Sequence, residues 1–484
     1  MEKVSYEELL KNAKAISAEY RKELDIAKKE LKEAANSLNM VWVVLDDDPT
    51  GVQTVHDIAV YTDWEKTTLL KALKSEKSMF YILTNSRGIT KDASLKLHRE
   101  LMDNLIDASL ESGIAFGVIS RSDSTLRGHF PLETDVIEER IRDRLGQKSD
   151  GLILAPFFYA GGRITYNDVH YVKYGDELIP AGSTEFARDE TFGYISSDLR
   201  DYIEEKTGGK RKSGEVISIS LELLRQGNLD EIEKKLDEAT NGAPIIVNAL
   251  EPVDLEVFCA ALYRSLRKGK KFVYRTAADF VKAVGAISDK PLLTKKSLNI
   301  TSDKGGVIII GSHTEKTTRQ LERLRGLDNL VFMEYDSDKV LEGKLSEETK
   351  RVSKWVTSEI EKGVTAVVYT KRKVLSLPGD TKETALLRSA EISDAFTNIV
   401  ASLGCEPAYI IGKGGITSSD IGTKALEVKR ALVMGQIQPG VPVWKTDEDS
   451  RFPGIPYVIF PGNVGDDETL YNAVMALTDS ERTD

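Results

Sequence analysis

A repeated pattern, in which a short apolar run ends abruptly in polar residues, most limits the folds open to this chain. The run MVWVVL at 40–45 is rich in β-branched residues and is followed at once by three aspartates. MFYILTNSRG at 79–88, IAFGVISRSDST at 114–125 and GLILAPFF at 151–158 repeat the pattern, and amphipathic stretches lie between the runs. Buried parallel strands that alternate with helices produce such a pattern. We therefore predict an open α/β sheet with polar groups at the carboxyl ends of its strands.

The pattern occurs in two series, separated by an irregular stretch at 285–305. The second series contains GVIIIGSHTEKT at 306–317, TAVVYT at 365–370 and AYIIGKGGITSSD at 408–420. Because 484 residues exceed what one core usually organises, we predict two α/β domains, at 1–290 and 300–484. Each is expected to be an open, mostly parallel sheet flanked by helices, with the active site in the cleft between the domains.

An amphipathic pattern at 5–38 precedes the first strand and predicts one long helix. We expect this helix to pack across the first domain, and a contact between two copies in a homodimer is the alternative.

Charge and cysteine content narrow the class of protein. The formal charge of −11 argues against nucleic-acid binding, which needs a concentrated basic surface. Cys259 and Cys405 lie far apart in the sequence, so a disulfide framework or a structural zinc site is not expected. The sequence has no apolar run of about 18 residues and no pattern of a signal peptide. We expect a cytoplasmic protein with reduced thiols and no membrane partner.

Three polar loops at predicted strand ends form the candidate site of the first domain. They are DDDPTGVQTVHD at 46–57, TNSR at 84–87 and SRSDSTLRGH at 120–129. Aspartates suit the hydroxyls of a polyol, and arginines suit a carboxylate or a phosphate. We therefore expect a hydroxy acid to bind here, with its carboxylate held by Arg87 or Arg127. Asp48 or Asp123 would accept the proton of an attacking hydroxyl, and the sequence leaves the choice between them open.

Other interpretations of these loops remain open. An aspartate at a strand end often caps the next helix, and an arginine near an aspartate often forms a plain surface ion pair. Further polar segments could reach the same site, namely 161–172 with Arg163 and His170, and TEFARD at 184–189.

Glycine-rich turns after the strands of the second series suit the phosphates of a nucleotide. Gly311–Ser312, the segment KGGITSSD at 413–420 and the loop FPGNVG at 460–465 offer backbone N–H groups, and Lys413 offers charge. The chain has neither a Walker pattern nor a full GxGxxG fingerprint. KGG could also be a simple tight turn. We expect the segment from Gly435 to Gly440 to be an irregular loop beside the adenine.

These motifs, in this order, resemble the four-carbon acid sugar kinase family. The resemblance rests on LDDDPTGVQTVHD, TNSRG, SRSDSTLRGHFPLE, KGGITSSDIGTKAL, GQIQPGVPVW and FPGNVG. It implies a sugar-acid-binding domain followed by a nucleotide-binding domain, with ATP and Mg²⁺ as cofactors. The expected reaction is phosphorylation of threonate, erythronate or 3-oxo-tetronate, usually at the terminal hydroxyl. The alternatives are a dinucleotide-dependent sugar-acid dehydrogenase and a non-catalytic sugar-acid sensor.

The resemblance also assigns roles by position. The residues that correspond to the ATP contacts of the family are Ser312, Gly414, Gly415, Ile416, Thr417 and Gly462. The residues that correspond to its substrate site are Asp47, Asp48, Arg87, Asp123, Ser124, Thr125 and Arg127. The resemblance assigns no metal-binding side chain.

Overall fold

The structure is a computed structural model that describes residues 4–462 and 464–478. It divides into two compact units. The first unit consists of the described residues up to Val55 together with Asp63–Asp289. The second unit consists of His56–Thr62 and the described residues from Lys290 onward. A short segment from the first half of the sequence therefore belongs to the second unit.

The strands of the described residues are, in chain order, β1 (Val4–Ser5), β2 (Val41–Asp46), β3 (Ile58–Tyr61), β4 (Met79–Leu83), β5 (Phe116–Arg121), β6 (Gly151–Ala155), β7 (Arg163–Tyr166), β8 (Val169–Tyr174), β9 (Glu177–Pro180), β10 (Ile217–Ile219), β11 (Ala243–Val247), β12 (Phe272–Thr276), β13 (Val307–Ile310), β14 (Leu330–Tyr335), β15 (Thr365–Thr370), β16 (Ile410–Lys413), β17 (Arg430–Gln438), β18 (Val441–Thr446) and β19 (Pro456–Phe460).

The α-helices are α1 (Tyr6–Glu19), α2 (Arg21–Ser37), α3 (Lys66–Ser75), α4 (Lys91–Ser112), α5 (Leu132–Leu145), α6 (Leu199–Lys206), α7 (Leu221–Arg225), α8 (Leu229–Glu238), α9 (Pro252–Arg267), α10 (Ala278–Val284), α11 (Glu315–Leu324), α12 (Leu345–Glu361), α13 (Lys382–Ala401), α14 (Gly415–Asp420) and α15 (Thr469–Thr478). In the part of the chain that the structure describes, none of the helices is long and apolar enough to cross a membrane.

The first unit is built on a parallel sheet with the strand order β10-β11-β6-β12-β5-β2-β4. The predicted α/β architecture is confirmed. β2, β4 and β6 are buried along their whole length, as the apolar runs indicated. The carboxyl ends of parallel strands meet at one edge of a sheet, so the polar loops after β2, β4 and β5 lie side by side. No sequence pattern predicted β12, which lies between β5 and β6.

One prediction about the first unit is wrong in detail. The single helix expected at 5–38 is two helices, because Tyr20 leaves the helical conformation with φ −106° and ψ 29°. The two helices have different partners: Ser17 of α1 accepts a hydrogen bond from Arg225 on α7, and Glu30 of α2 pairs with Arg264 on α9. The polar segment at 161–172 contains β7 and most of β8, which belong to a second sheet of order β1-β9-β8-β7.

The second unit contains a sheet with the order β3-β17-β18-β19-β16-β13-β15-β14. From β19 to β14 the neighbouring strands are parallel, and β3, β17 and β18 form an antiparallel extension. The irregular loop expected from Gly435 to Gly440 is wrong, because β17 and β18 form a hairpin through this segment. The Gln436 side chain closes its turn by accepting a hydrogen bond of 2.6 Å from the Gly440 N–H.

Candidate functional site

The three polar loops of the first unit meet around one guanidinium group. Arg87 Nη2 lies 2.8 Å from Asp48 Oδ2 and 3.1 Å from Asp47 Oδ1. Arg87 Nη1 lies 3.8 Å from Asp123 Oδ1. Arg87 follows β4, the two neighbouring aspartates follow β2, and Asp123 follows β5, so adjacent strand ends supply all four groups. The structure therefore brings together four residues that the resemblance placed in the substrate site.

The carboxylates at this sheet edge differ in their titration. Burial raises the pKa of Asp46 to about 7 and the pKa of Asp47 to about 6, against the opposing effect of Arg121 and Arg87. Burial acts in the same direction on Asp48, but Arg87 and the hydrogen bonds from Thr50 outweigh it and lower the pKa of Asp48. Asp48 is therefore an anion near neutral pH, whereas the pKa values of Asp46 and Asp47 lie close to neutral pH.

The carboxylates also differ in how far a ligand can reach them. The side chain of Asp48 is 25% exposed, that of Asp123 is 10% exposed and that of Asp47 is 2% exposed. Asp123 accepts hydrogen bonds from Thr125 and from Arg127 Nε. These contacts, together with Arg87, lower the pKa of Asp123 although burial alone would raise it. Asp48 is thus the most accessible acid of this group.

The other predicted substrate residues occupy the loop from Asp123 to Arg127. Thr125 is 1% exposed, and its hydroxyl donates to Asp123 within the loop. Ser124 is 7% exposed. Arg127 pairs with Asp123 and lies 3.6 Å from Asp189. Thr125 and Arg127 therefore both bind Asp123, and these contacts hold the loop as a unit.

Buried side chains from other segments fix the backbone of this loop. Tyr194 Oη donates to the Thr125 carbonyl at 2.7 Å, and Tyr202 Oη donates to the Leu126 carbonyl at 2.9 Å. Arg275 donates to the carbonyls of Asp123 and Arg127, and His170 Nε2 lies 2.7 Å from the Ser124 carbonyl. Each carbonyl from Asp123 to Arg127 thus contacts a buried side chain. We call Arg275, His170, Tyr194 and Tyr202 the carbonyl shell.

The carbonyl shell holds a strained backbone. Leu126 is completely buried and has a φ of +70°, which is uncommon for a residue with a branched side chain. Such a conformation persists only where the surroundings determine it, and these residues often lie at functional sites. His170, one of the residues that the sequence offered as able to reach the site, instead belongs to this support, and burial lowers its pKa to about 4.

Most residues of the carbonyl shell could not be recognised from the sequence. Arg275 lies on the unpredicted strand β12, while Tyr194 and Tyr202 carry no motif. Glu133 was missed as well. It is 3% exposed and accepts hydrogen bonds from Ser86, Ser120 and Ser122, at 2.6, 3.2 and 3.3 Å, and so links two of the polar loops. The available signal in the sequence was an acid, Glu133, shortly after the polar loop at 120–129.

Three glycine-containing turns meet at the carboxyl edge of the second sheet. Ser312, Gly414 and Gly462 follow the adjacent parallel strands β13, β16 and β19. A Cβ atom added at Gly462 would lie 3.2 Å from Ser312 Oγ, and Thr317 Oγ1 donates to Ser312 Oγ at 3.0 Å. Three predicted nucleotide residues are therefore in one place. Asn463 of the same loop lies outside the described residues.

The turn at Gly414 packs closely against the backbone of Ser312. Gly414 has a φ of +126°, and a Cβ atom there would lie 3.2 Å from the Ser312 nitrogen. Gly415 begins α14, and Thr417 in its first turn is 7% exposed. Ile416, between them, is 73% exposed. The backbone of this turn can approach a phosphate closely, and Ile416 presents an apolar side chain beside it.

The side chain of Lys413 does not extend into solvent, as it would if it were free to contact a phosphate. Its side chain is fully buried, and Nζ donates to the Pro461 carbonyl at 2.6 Å and lies 4.0 Å from the centre of the Phe460 ring. Burial lowers the pKa of this ammonium group to about 7. Lys413 therefore joins the turn after β16 to the turn after β19.

Metal binding by side chains alone has no support in the described residues. Within the ranges 4–462 and 464–478, no group of three or more His, Cys, Asp or Glu side chains is placed to hold a metal ion. Mg²⁺ is often bound through one or two carboxylates together with the phosphates of a nucleotide.

Comparison with known protein families identifies both halves of the chain. Residues 42–284 match the model of a sugar-binding N-terminal domain, and residues 307–470 match the model of a nucleotide-binding C-terminal domain. A search of curated proteins found no match to the chain.

Solved structures with a similar fold come from several bacteria. A Salmonella typhimurium LT2 protein, provisionally named a tRNA synthase, is 15% identical over 89% of this chain and 98% of its own, with a TM-score of 0.64. A Haemophilus influenzae protein of the domain-of-unknown-function family DUF1537 is 18% identical over 90% of this chain and 100% of its own, with a TM-score of 0.60. These similarities show the fold.

Proposed function

The chain belongs to the four-carbon acid sugar kinase family, and from that premise we propose that it transfers the γ-phosphoryl group of ATP to the terminal hydroxyl of a four-carbon sugar acid. The sugar-binding domain would hold the acid, and the nucleotide-binding domain would hold ATP. Threonate, erythronate and 3-oxo-tetronate are the proposed substrates.

One observation carries the proposal for the first domain. Arg87 contacts three carboxylates at one sheet edge, and Asp48 is the most exposed of them. The pKa of Asp48 is lowered, so this accessible group is ionised. An ionised, accessible carboxylate is suited to bind a substrate hydroxyl and to accept its proton. We propose that Asp48 has this role. Asp123, which is bound by Arg127 and Thr125, would position the loop that surrounds the substrate.

The turns of the second domain suit the phosphates of ATP. Ser312, Gly414 and Gly462 meet at the ends of three parallel strands, where backbone N–H groups are available to an anion. Gly415, Ile416 and Thr417 would complete this contact. We propose that Mg²⁺ arrives as the Mg²⁺·ATP complex. The described side chains form no metal-binding group, and the phosphate oxygens of ATP can supply the ligands instead.

An assay of the purified protein tests this function. It is incubated with ATP, Mg²⁺ and one of the three acids, and ADP formation is followed. The proposal predicts ADP formation that depends on one of these acids and an equal amount of phosphorylated acid. Absorbance changes of an added nicotinamide cofactor would instead indicate a dehydrogenase. Tight binding of the acid without turnover would indicate a sensor.

A further inference from the structure

Arg163 occupies a special position beside the Asp123–Arg127 loop. It begins β7, where its backbone exchanges two hydrogen bonds of 2.9 Å with Phe158, and its side chain is half-buried. Its guanidinium carbon lies 5.5 Å from the centre of the Phe186 ring, and that of Arg127 lies 5.2 Å from the same centre. Two guanidinium groups therefore share one aromatic ring, and such cation–π contacts orient both of them.

Arg163 differs from Arg87 and Arg127 in its ion pairs. Arg87 has three carboxylates within ion-pair distance, and Arg127 has two. Arg163 forms no ion pair with any described residue: Nη1 donates to the Gly161 carbonyl, and Nε is buried without a hydrogen-bond partner.

The charges that face Arg163 do not neutralise it. Burial lowers its pKa, and Arg127 acts in the same direction. Asp123, Tyr174 and Glu185 oppose this effect, but burial outweighs them and the pKa of Arg163 stays lowered. The Tyr174 hydroxyl already donates to both Glu185 oxygens at 3.0 Å, and Asp123 is engaged by Arg127. A desolvated cation without a counter-ion is costly, and an anionic ligand would offset that cost.

The opposite end of the site cannot serve a carboxylate as well. At that end Arg87 already pairs with Asp47, Asp48 and Asp123, so its positive charge is offset by three carboxylates. A substrate carboxylate would add another negative charge at that end. Hydroxyl groups, by contrast, can donate to those acids.

From this distribution of charge we propose that Arg163 binds the carboxylate of the sugar acid, with Phe186 as its platform and with the hydroxyl chain directed toward Asp48. This inference deepens the proposed function and rests on it for the class of substrate. Arg163 replaces Arg87 and Arg127, which the sequence offered as the two candidate ligands of the carboxylate. A planar guanidinium group can form two parallel hydrogen bonds with a carboxylate, which a hydroxymethyl group in the same place cannot match.

The turn before β7 makes room for this group. A Cβ atom added at Gly161 would lie 2.8 Å from Arg163 Nη1 and 2.4 Å from the Phe158 ring. The glycine therefore lets the arginine side chain fold back over its own turn toward Phe186.

Equilibrium binding to the full-length protein tests the proposal. Calorimetric titration compares erythronate with erythritol, which carries a hydroxymethyl group in place of the carboxylate, and threonate with threitol in the same way. The wild-type protein should prefer the acid. Arg163→Met should weaken binding of the acid roughly 10- to 100-fold and leave binding of the alcohol unchanged. Arg163→Lys should recover part of the loss, because it keeps the charge without the planar fork.

The control is Arg188→Met, which removes an exposed guanidinium two residues after Phe186 and should change neither affinity. Equal weakening of acid and alcohol in Arg163→Met would overturn the proposal, as would an unchanged acid affinity or failure of the wild-type protein to bind any of the acids. Arg163-dependent binding of the acid without ATP-dependent turnover would support Arg163 and reject the kinase function.

Discussion

Substitution of Tyr194 by Phe tests whether the carbonyl shell supports catalysis rather than only the fold. The hydroxyl of Tyr194, a residue that is 5% exposed, donates to the Thr125 carbonyl at 2.7 Å. Its removal leaves a buried acceptor without a partner, which costs about 1 to 2 kcal/mol. If the cost falls on the loop in its substrate-bound form, kcat/KM for the acid should fall by roughly 5- to 30-fold.

Tyr263→Phe is the matched control for this experiment. Tyr263 is 1% exposed, lies in the same unit, and donates to the Val284 carbonyl at 2.5 Å, outside the loop. Tyr263→Phe should lose at least as much thermal stability as Tyr194→Phe, because Tyr263 Oη also accepts a hydrogen bond of 3.1 Å from Trp42 Nε1. Only Tyr194→Phe should lose activity in the ADP-release assay. Equal activity losses in the two variants, or full activity in Tyr194→Phe, would refute a role of the shell in positioning the loop.

Two further predictions concern the carboxylates. Asp48→Asn should lower kcat by roughly 100-fold or more, whereas Asp123→Asn should act mainly by raising KM for the acid; a near-normal kcat for Asp48→Asn would reject Asp48 as the proton acceptor. The raised pKa of Asp46 means that the folded protein keeps a proton that the unfolded chain releases between about pH 4 and 7, so this group's contribution to stability is lost as pH rises through that window. Asp46→Asn should therefore flatten the decline of the thermal midpoint between pH 5 and 7, and an unchanged slope would contradict the assignment.

The sequence predicted those parts of the fold that depend on local patterns. Apolar runs such as the one before Asp46 are strands because they are buried on both faces, and the acids that follow them lie at the sheet edge. Parallel neighbours then bring Asp48, Arg87 and Asp123 together, as the adjacency of their strand ends implied. Contact between these three residues needed no information beyond strand order.

Features that depend on distant packing could not be predicted. Strand β12 is short and carries Arg275, whose role appears only when the Asp123–Arg127 loop lies beside it. Lys413 looked like a charged contact, but its side chain is directed under the Phe460 ring. Similarly, His170 contacts a backbone carbonyl because β8 brings its buried side chain beneath Ser124.

The strand β3 illustrates a further limit. Its residues follow the first polar loop in sequence, yet they pair with β17 of the second unit, from Arg430↔Tyr61 to Val433↔Ile58. The apolar run IAVY predicts a strand but contains nothing that selects its partner. The edge of β17 with which it pairs lies more than 350 residues away in the sequence.

Titration of ADP into wild-type protein and Gly414→Ala tests the central claim that the turns of the second domain bind the nucleotide. A Cβ atom at Gly414 would be strained at a φ of +126° and would crowd the Ser312 nitrogen at 3.2 Å. The account predicts a loss of at least about 10-fold in ADP affinity, worth 1.4 kcal/mol, with unchanged affinity for the sugar acid. Undiminished ADP binding, or parallel loss of both ligands, would contradict it.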